Sequence, residues 1–379
     1  MTNTILLLFL IIYILYITNS YYVRQVGVQK LLLIVLLIVH FSAMGFAYSN
    51  TLAFPEYDAF SFYKRALNAD SWISLFGLGT SFMSFLIYPL VHAGVSLFVL
   101  FLLFSAMSYQ CFLWYFNQIS GYNRKGIVSF KRIPIIQLLF LMPSLHYWTS
   151  FLGKDALIFF FLTYLLFEFK NKSKVHFSHL IVLIAFILLR PHVFLAIIGA
   201  FVIYLLTQKN ILKSIKIKLS ILSLVIMSIL VPILMFFTHI KTLTFDSISK
   251  KFYEVNDFAS HGGSGISLIE TSYLERIWLL LFRPLFYDAK TNYQYVISFE
   301  NCIVLFVFVF ILINLFTKKM KINIEKDVKL ALLSGCCILL IIATYIFNLG
   351  LASRMRAMFL PLLFYSLHQI VYFDHEKNT

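Results

Sequence analysis

The chain has 379 residues, of which 61% are hydrophobic and only 12% charged, and its mean hydropathy is +0.87. That composition excludes a soluble globular domain and requires lipid as the main solvent. The net charge of +15 sits mostly in short connectors between apolar runs, so it is a topology signal and not a nucleic-acid footprint.

In chain order, apolar runs predict helical spans near 4–19, 30–48, 94–117, 133–147, 155–169, 179–190, 193–207, 217–237, 296–317, 328–348 and 357–373. The fold class is therefore all-α: a polytopic transmembrane protein of about 11 spans, forming a single domain over 1–379. The first run lacks a basic leader and a small-residue cleavage site, which predicts a retained helix. Basic clusters recur at Arg24 and Lys30, at Arg124, Lys125, Lys131 and Arg132, and at Lys170, Lys172 and Lys174. Further clusters follow at Lys209, Lys213, Lys216 and Lys218, and at Lys318, Lys319, Lys321, Lys326 and Lys329, with Lys377 near the C-terminus. The positive-inside rule makes these connectors cytoplasmic, with the N-terminus outside and the C-terminus in the cytoplasm. Residues 49–93 are then extracytoplasmic, and Tyr57 to Leu90 must form interfacial or re-entrant helices on the outer face, because a normal pair of spans would break the alternation. A long extracytoplasmic loop covers 238–295. No inverted repeat of the transporter kind is evident. Cys111, Cys302, Cys336 and Cys337 all lie in apolar runs, unsuited to a disulfide or a metal tetrad.

The polar clusters fall on the outer side of this topology. Glu56 and Asp58 follow the second span and offer a general base or a cation site, against the plainer reading of a solvated loop. In PSLHYWTSFLGKDALIFF, Asp155 suits the first turn of a helix and Trp148 an interface anchor, while Lys154 and His146 have no such ready explanation. Arg190-Pro191-His192 joins two short apolar runs, and an arginine at that depth is directed at a partner, a cavity or an anion. The long loop carries the glycine-rich stretch after His261, a flexible clamp candidate without the sequence of a phosphate loop, and a second Arg-Pro pair at Arg283. Arg354 and Arg356 precede the last span, as a diphosphate cradle if buried or as headgroup contacts if exposed. No serine-hydrolase triad motif, Walker loop, HExxH or paired CxxC occurs.

PEYDAFSFYKRA, PSLHYWTSFLGKDALIFF, LLRPHVFLAI, LFRPLFYDAKTNYQYVISFEN and NLGLASRMRAMFLPLL together resemble the O-antigen or capsule repeat-unit polymerases and related polytopic glycosyltransferases that use polyprenyl-linked donors. The resemblance implies an inverting glycosyl transfer in polysaccharide biosynthesis at the outer leaflet of the bacterial cytoplasmic membrane, as part of cell-envelope assembly. A polyprenyl-diphosphate-linked glycan would pass to an acceptor sugar. It maps substrate-binding arginines onto Arg190, Arg283, Arg354 and Arg356; by their own placement, Asp58 or Glu56, with His192 as the alternative base, are the catalytic candidates, and Lys154 and His261 are further substrate-binding candidates. Membrane lipids and polysaccharide-assembly proteins such as a chain-length regulator are the implied partners, and nucleic acid is not. No cofactor is required, with a divalent cation on the early carboxylates as the alternative. An early carboxylate after an N-terminal span is more typical of single-sugar transferases using polyprenyl monophosphate, which is the second expectation. A lipid-linked glycan flippase is the third.

Overall fold

A computed structural model describes residues 2–120, 129–130, 133–171, 176–208, 212–238, 265–317 and 324–373, with isolated positions between 242 and 257. His261, Gly262 and Gly263, and most of the basic connector residues (Arg124, Lys125, Lys131, Arg132, Lys172, Lys174, Lys209, Lys318, Lys319, Lys321 and Lys377), lie outside the described residues. The chain divides into two compact units at the first Arg-Pro pair, Met1–Arg190 and Pro191–Asn378.

The first unit begins with α1 (Thr2–Tyr22) and α2 (Val28–Ala53), separated by a turn in which Gly27 takes φ 52°. Next come α3 (Asp58–Leu67), a short 3-10 turn at Ile73–Leu75, α4 (Thr80–His92) and α5 (Leu97–Ser120). A two-residue antiparallel pair, β1 (Ser129–Phe130) with β2 (Ile133–Pro134), leads to α6 (Ile135–Leu139) and α7 (Pro143–Thr149). The unit ends with α8 (Lys154–Lys170) and α9 (Phe177–Leu189).

Cross-helix pairs fix the directions of these helices. Asn3 bonds to Gly94 and Ser96, Tyr13 to Gln110 at 2.8 Å and Gln25 to Asn117 at 3.4 Å, so α1 and α5 run parallel. Tyr48 packs on Phe98 and Phe101 while His40 meets Ser105, so α2 runs against them. The segment holding α3 and α4 therefore leaves and re-enters the bundle on the face where α1 begins. Phe151 packs on Phe101, Phe159 on Phe112 and Phe167 on Trp114, so α8 runs with α5 and starts at that face too. Tyr164 bonds to Ser178 at 2.9 Å and Phe161 packs on Phe186, which turns α9 back toward the same face.

Local sequence explains the shorter elements. Ala59, Phe62 and Ala66 form the buried stripe of α3 at helical spacing, Asp58 lies in its positive first turn, and Lys64 and Arg65 lie in its negative last turn. Pro191 disfavours helix at Arg190, whose φ is −148°, and so ends α9.

The second unit contains α10 (Pro191–Thr207), α11 (Lys213–Thr238), α12 (Tyr273–Phe282), α13 (Asn292–Thr317), α14 (Lys326–Ala343), α15 (Leu349–Met355), a 3-10 turn at Arg356–Met358 and α16 (Leu360–Phe373). α14 is central, packed on α10 and α16. Gly335 permits the close approach to α16, since a Cβ there would meet Leu363 Cδ2 at 2.8 Å. Ser272 accepts from Glu275 N at the start of α12, and Asn348 accepts from Gly350 and Leu351 N–H at the start of α15.

Among the described residues, four helices are long and apolar enough to cross a membrane: α1, α2, α5 and α13 over Asn292–Ile313. α7 and α8 together pass the same test but bend by 100° at their break, and α9 and α10 are shorter apolar helices. The chain is thus an α-helical protein with several helices able to span a membrane. The predicted span at 133–147 is broken into two short helices, because Pro143 interrupts it. The stretch from Tyr57 to His92 holds the helices α3 and α4.

Candidate functional site

The face of the first unit where α1 begins collects three of the sequence clusters. Glu56 is exposed just before α3 and Asp58 is half-buried in its first turn. Lys154, half-buried at the start of α8, places its Nζ 6.0 Å from the Phe62 ring of α3, within cation–π range. Asp155 follows it, and Arg190 Nη2 donates to Asp155 Oδ1 at 2.6 Å with both side chains buried. The Gly79 N–H donates to the Leu188 carbonyl at 2.7 Å, tying the start of α4 to the end of α9.

The same face carries a cleft of about 450 Å³ at the C-terminal end of α3, lined by Ser61, Lys64, Arg65, Asn68, Asp70 and Ser74. The backbone geometry here is held by His92, whose Nε2 lies 3.1 Å from the Ala66 carbonyl, and by Trp72, whose indole donates to the Phe85 carbonyl at 2.8 Å. Leu67, Trp72, Ile73 and Phe76 beside it are exposed, Ile73 by 81%. The two cations outnumber the single Asp70 carboxylate and, with the amide and hydroxyl donors, suit an oxyanion, while the apolar rim suits a lipid chain. Lys64 and Arg65 follow Asp58 within the same helix. Their place in the last turn of an amphipathic helix was the available signal.

In the second unit the arginines are engaged internally. Arg356, 2% exposed, donates from Nε to the Leu280 carbonyl at 2.7 Å, from Nη1 to Asn301 Oδ1 at 2.6 Å and from Nη2 to the Arg283 carbonyl. Asn301 in turn donates to the Pro284 carbonyl at 2.6 Å. These contacts satisfy the carbonyls at the C-terminus of α12, which its own helix leaves open. Arg283, followed by a cis peptide to Pro284, forks onto Asp288: Nε donates to Oδ2 at 2.9 Å and Nη2 to Oδ1. Asp288 Oδ2 also accepts from the Leu285 N–H at 2.8 Å. Burial raises the Asp288 pKa, but the bonds from Arg283 and Leu285 outweigh it and hold the carboxyl below its usual value. Arg354 is half-buried at the end of α15. His192 places Nε2 3.1 Å from the Tyr345 hydroxyl, a pairing that can hold or pass a proton.

Of the predicted phosphate-binding arginines, the fold thus brings Arg283 and Arg356 together, while Arg190 belongs to the first unit and grips Asp155. Among the described residues, no group of three or more His, Cys, Asp or Glu is arranged to hold a metal ion. No known protein family, curated protein or solved structure matches the chain.

Proposed function

We propose that the chain is a multi-pass glycosyltransferase of the bacterial cytoplasmic membrane, first of all a polysaccharide repeat-unit polymerase, crossing the bilayer about eleven times with its N-terminus outside. The observation that carries this reading is the cationic cleft at the end of α3, flanked by exposed Trp72, Ile73 and Phe76, on the face that also holds Asp58 and Lys154. A polyprenyl-linked phosphate enters from the lipid with its tail along the apolar rim and its charge against Lys64 and Arg65. Asp58, or Glu56 beside it, accepts the proton of the acceptor hydroxyl as its oxygen attacks the anomeric carbon. The bond to the polyprenyl diphosphate breaks with inversion, and the cations stabilise the charge on the departing oxygen. No soluble cofactor enters these steps.

The position of Asp58 in α3, directly after the second helix, favours a second reading in which a single sugar is added from polyprenyl monophosphate. Lipid-linked glycans extracted from a deletion strain separate the two. Polymerisation predicts accumulation of single complete repeats, and single-sugar transfer predicts truncated ones. Unchanged lipid-linked pools inside and out, with normal polymer, would sink both.

A further inference from the structure

Two histidines meet inside the first unit, away from the cationic face residues. His40 on α2 and His146 on α7 are both fully buried, and their Nδ1 atoms lie 2.9 Å apart. The other nitrogen of each ring faces a backbone carbonyl: His40 Nε2 lies 2.9 Å from the Ser105 oxygen, and His146 Nε2 lies 2.9 Å from the Phe140 oxygen. A carbonyl oxygen only accepts, so each of these contacts is a hydrogen bond when its Nε2 carries the hydrogen, and that bond favours the Nε2–H tautomer of each ring. A neutral imidazole has one N–H. Both are then used on the carbonyls, and two lone pairs are left facing each other at hydrogen-bond distance.

We propose that the His40–His146 pair is a proton-binding site, in which one additional proton lies between the two Nδ1 atoms and the rings share a single positive charge. All three contacts then have a donor and an acceptor. The proton comes from water and returns to it, and no other bond changes.

A neutral state is also built in. If His40 carries its hydrogen on Nδ1, it donates to His146 and turns the Nε2 lone pair toward Ser105. Ser108 Oγ lies 3.3 Å from His40 Nε2 and 3.1 Å from the Ser105 carbonyl, so its hydroxyl hydrogen can swing from the carbonyl to that nitrogen. Ser108 thereby stabilises the deprotonated pair. Around the rings, α2 supplies Phe41, and α5 supplies Tyr109 and Phe112, the latter 4.1 Å from His146 between ring centroids. Phe112 in turn packs on Phe159 of α8. Among the described residues, no Asp, Glu, Lys or Arg bonds to either ring. A cation without a counter-ion at this depth is costly, which favours a site that exchanges its proton over a permanent charge.

The test is solid-state NMR of the full-length protein, labelled with 15N-histidine and reconstituted in bilayers, over roughly pH 4 to 9, which brackets an ordinary histidine. An imidazolium signal with coupling across an N–H–N bond is expected at low pH and should vanish as the pH rises. It should be missing from His40→Gln and from His146→Gln. Ser108→Ala leaves the protonated pair intact but removes the donor of the neutral form, so the signal should persist at least about one pH unit higher, a tenfold change in proton affinity. Two neutral rings over the whole range, or a wild-type titration in Ser108→Ala, overturn the proposal. If the glutamine variants do not fold, the spectra of wild type and Ser108→Ala decide it alone.

Discussion

The arginines of the second unit and the cations at the end of α3 have opposite structural fates. Arg356 is enclosed by carbonyls of α12 and the Asn301 amide, and Arg283 is clasped by Asp288. Lys64 and Arg65 instead line an open cleft. Depth does not make an arginine a ligand; what matters is whether the fold has already filled its donors. Recruiting Arg356 to a phosphate would expose the end of α12, whereas Lys64 and Arg65 can bind an anion without undoing a helix terminus.

The largest expected effect is chemical. Asp58→Asn preserves size and polarity but removes the base, and loss of a general base slows transfer by roughly a hundred- to ten-thousandfold. Polymer length and lipid-linked repeats, measured at matched protein level, check this. Wild-type polymer from Asp58→Asn and from Glu56→Gln would remove the chemistry from this face.

Next comes Arg356, where the comparison makes the opposite demand. Arg356→Met should destabilise the protein by roughly 3 to 5 kcal/mol, since it strips several buried acceptors of their donor at once. Reduced membrane abundance and a lower melting temperature in detergent are the expected readouts. A variant of normal stability that makes no polymer would return Arg356 to the substrate site.

Arg65→Gln and Lys64→Gln should leave stability within about 0.5 kcal/mol, as surface substitutions do. Each should slow glycan transfer about ten- to a hundredfold by loss of a charge-assisted hydrogen bond worth roughly 1.5 to 3 kcal/mol. Normal transfer by the double variant would empty the cleft of its assigned role.

These contrasts were only partly legible in the sequence. Uninterrupted apolar runs marked α1, α2, α5 and α13. Pro143 is the sequence signal for the break in the span expected at 133–147, since it opens α7 and cannot continue the helix before it. Within the long loop, α12 was not foreseen as a helix, although Ser272 and Glu275 at its start are a capping signal. The internal partners of the arginines were beyond reach because they are distant in sequence. Arg190 meets Asp155 across 35 residues and Arg356 meets Leu280 across 76. Apolar periodicity predicts which residues form helices, but not which carbonyl a buried guanidinium will find.

The smallest effect concerns Arg283 and Asp288, and it tests whether this pair is structural. The Asp288 carboxyl has a lower pKa in the folded state than in the unfolded chain, because Arg283 and the Leu285 N–H bond to its charged form. The native state therefore binds this proton less readily than the unfolded state does. The stabilisation is present above the unfolded carboxyl value of about 3.9 and is lost as pH falls through the lower folded value. Asp288→Asn should accordingly melt below wild type near neutral pH, and the gap between the two should narrow as the pH is taken from about 6 toward 3. Arg283 does not titrate in this window, since the same pairing raises a guanidinium that is already fully charged. The pair is partly exposed, so its contribution is further reduced by solvent and salt, and high salt should narrow the same gap at neutral pH. A gap that stays constant across this range would mean that Asp288 acts through packing alone, and Arg283 would then regain its candidacy as a phosphate ligand.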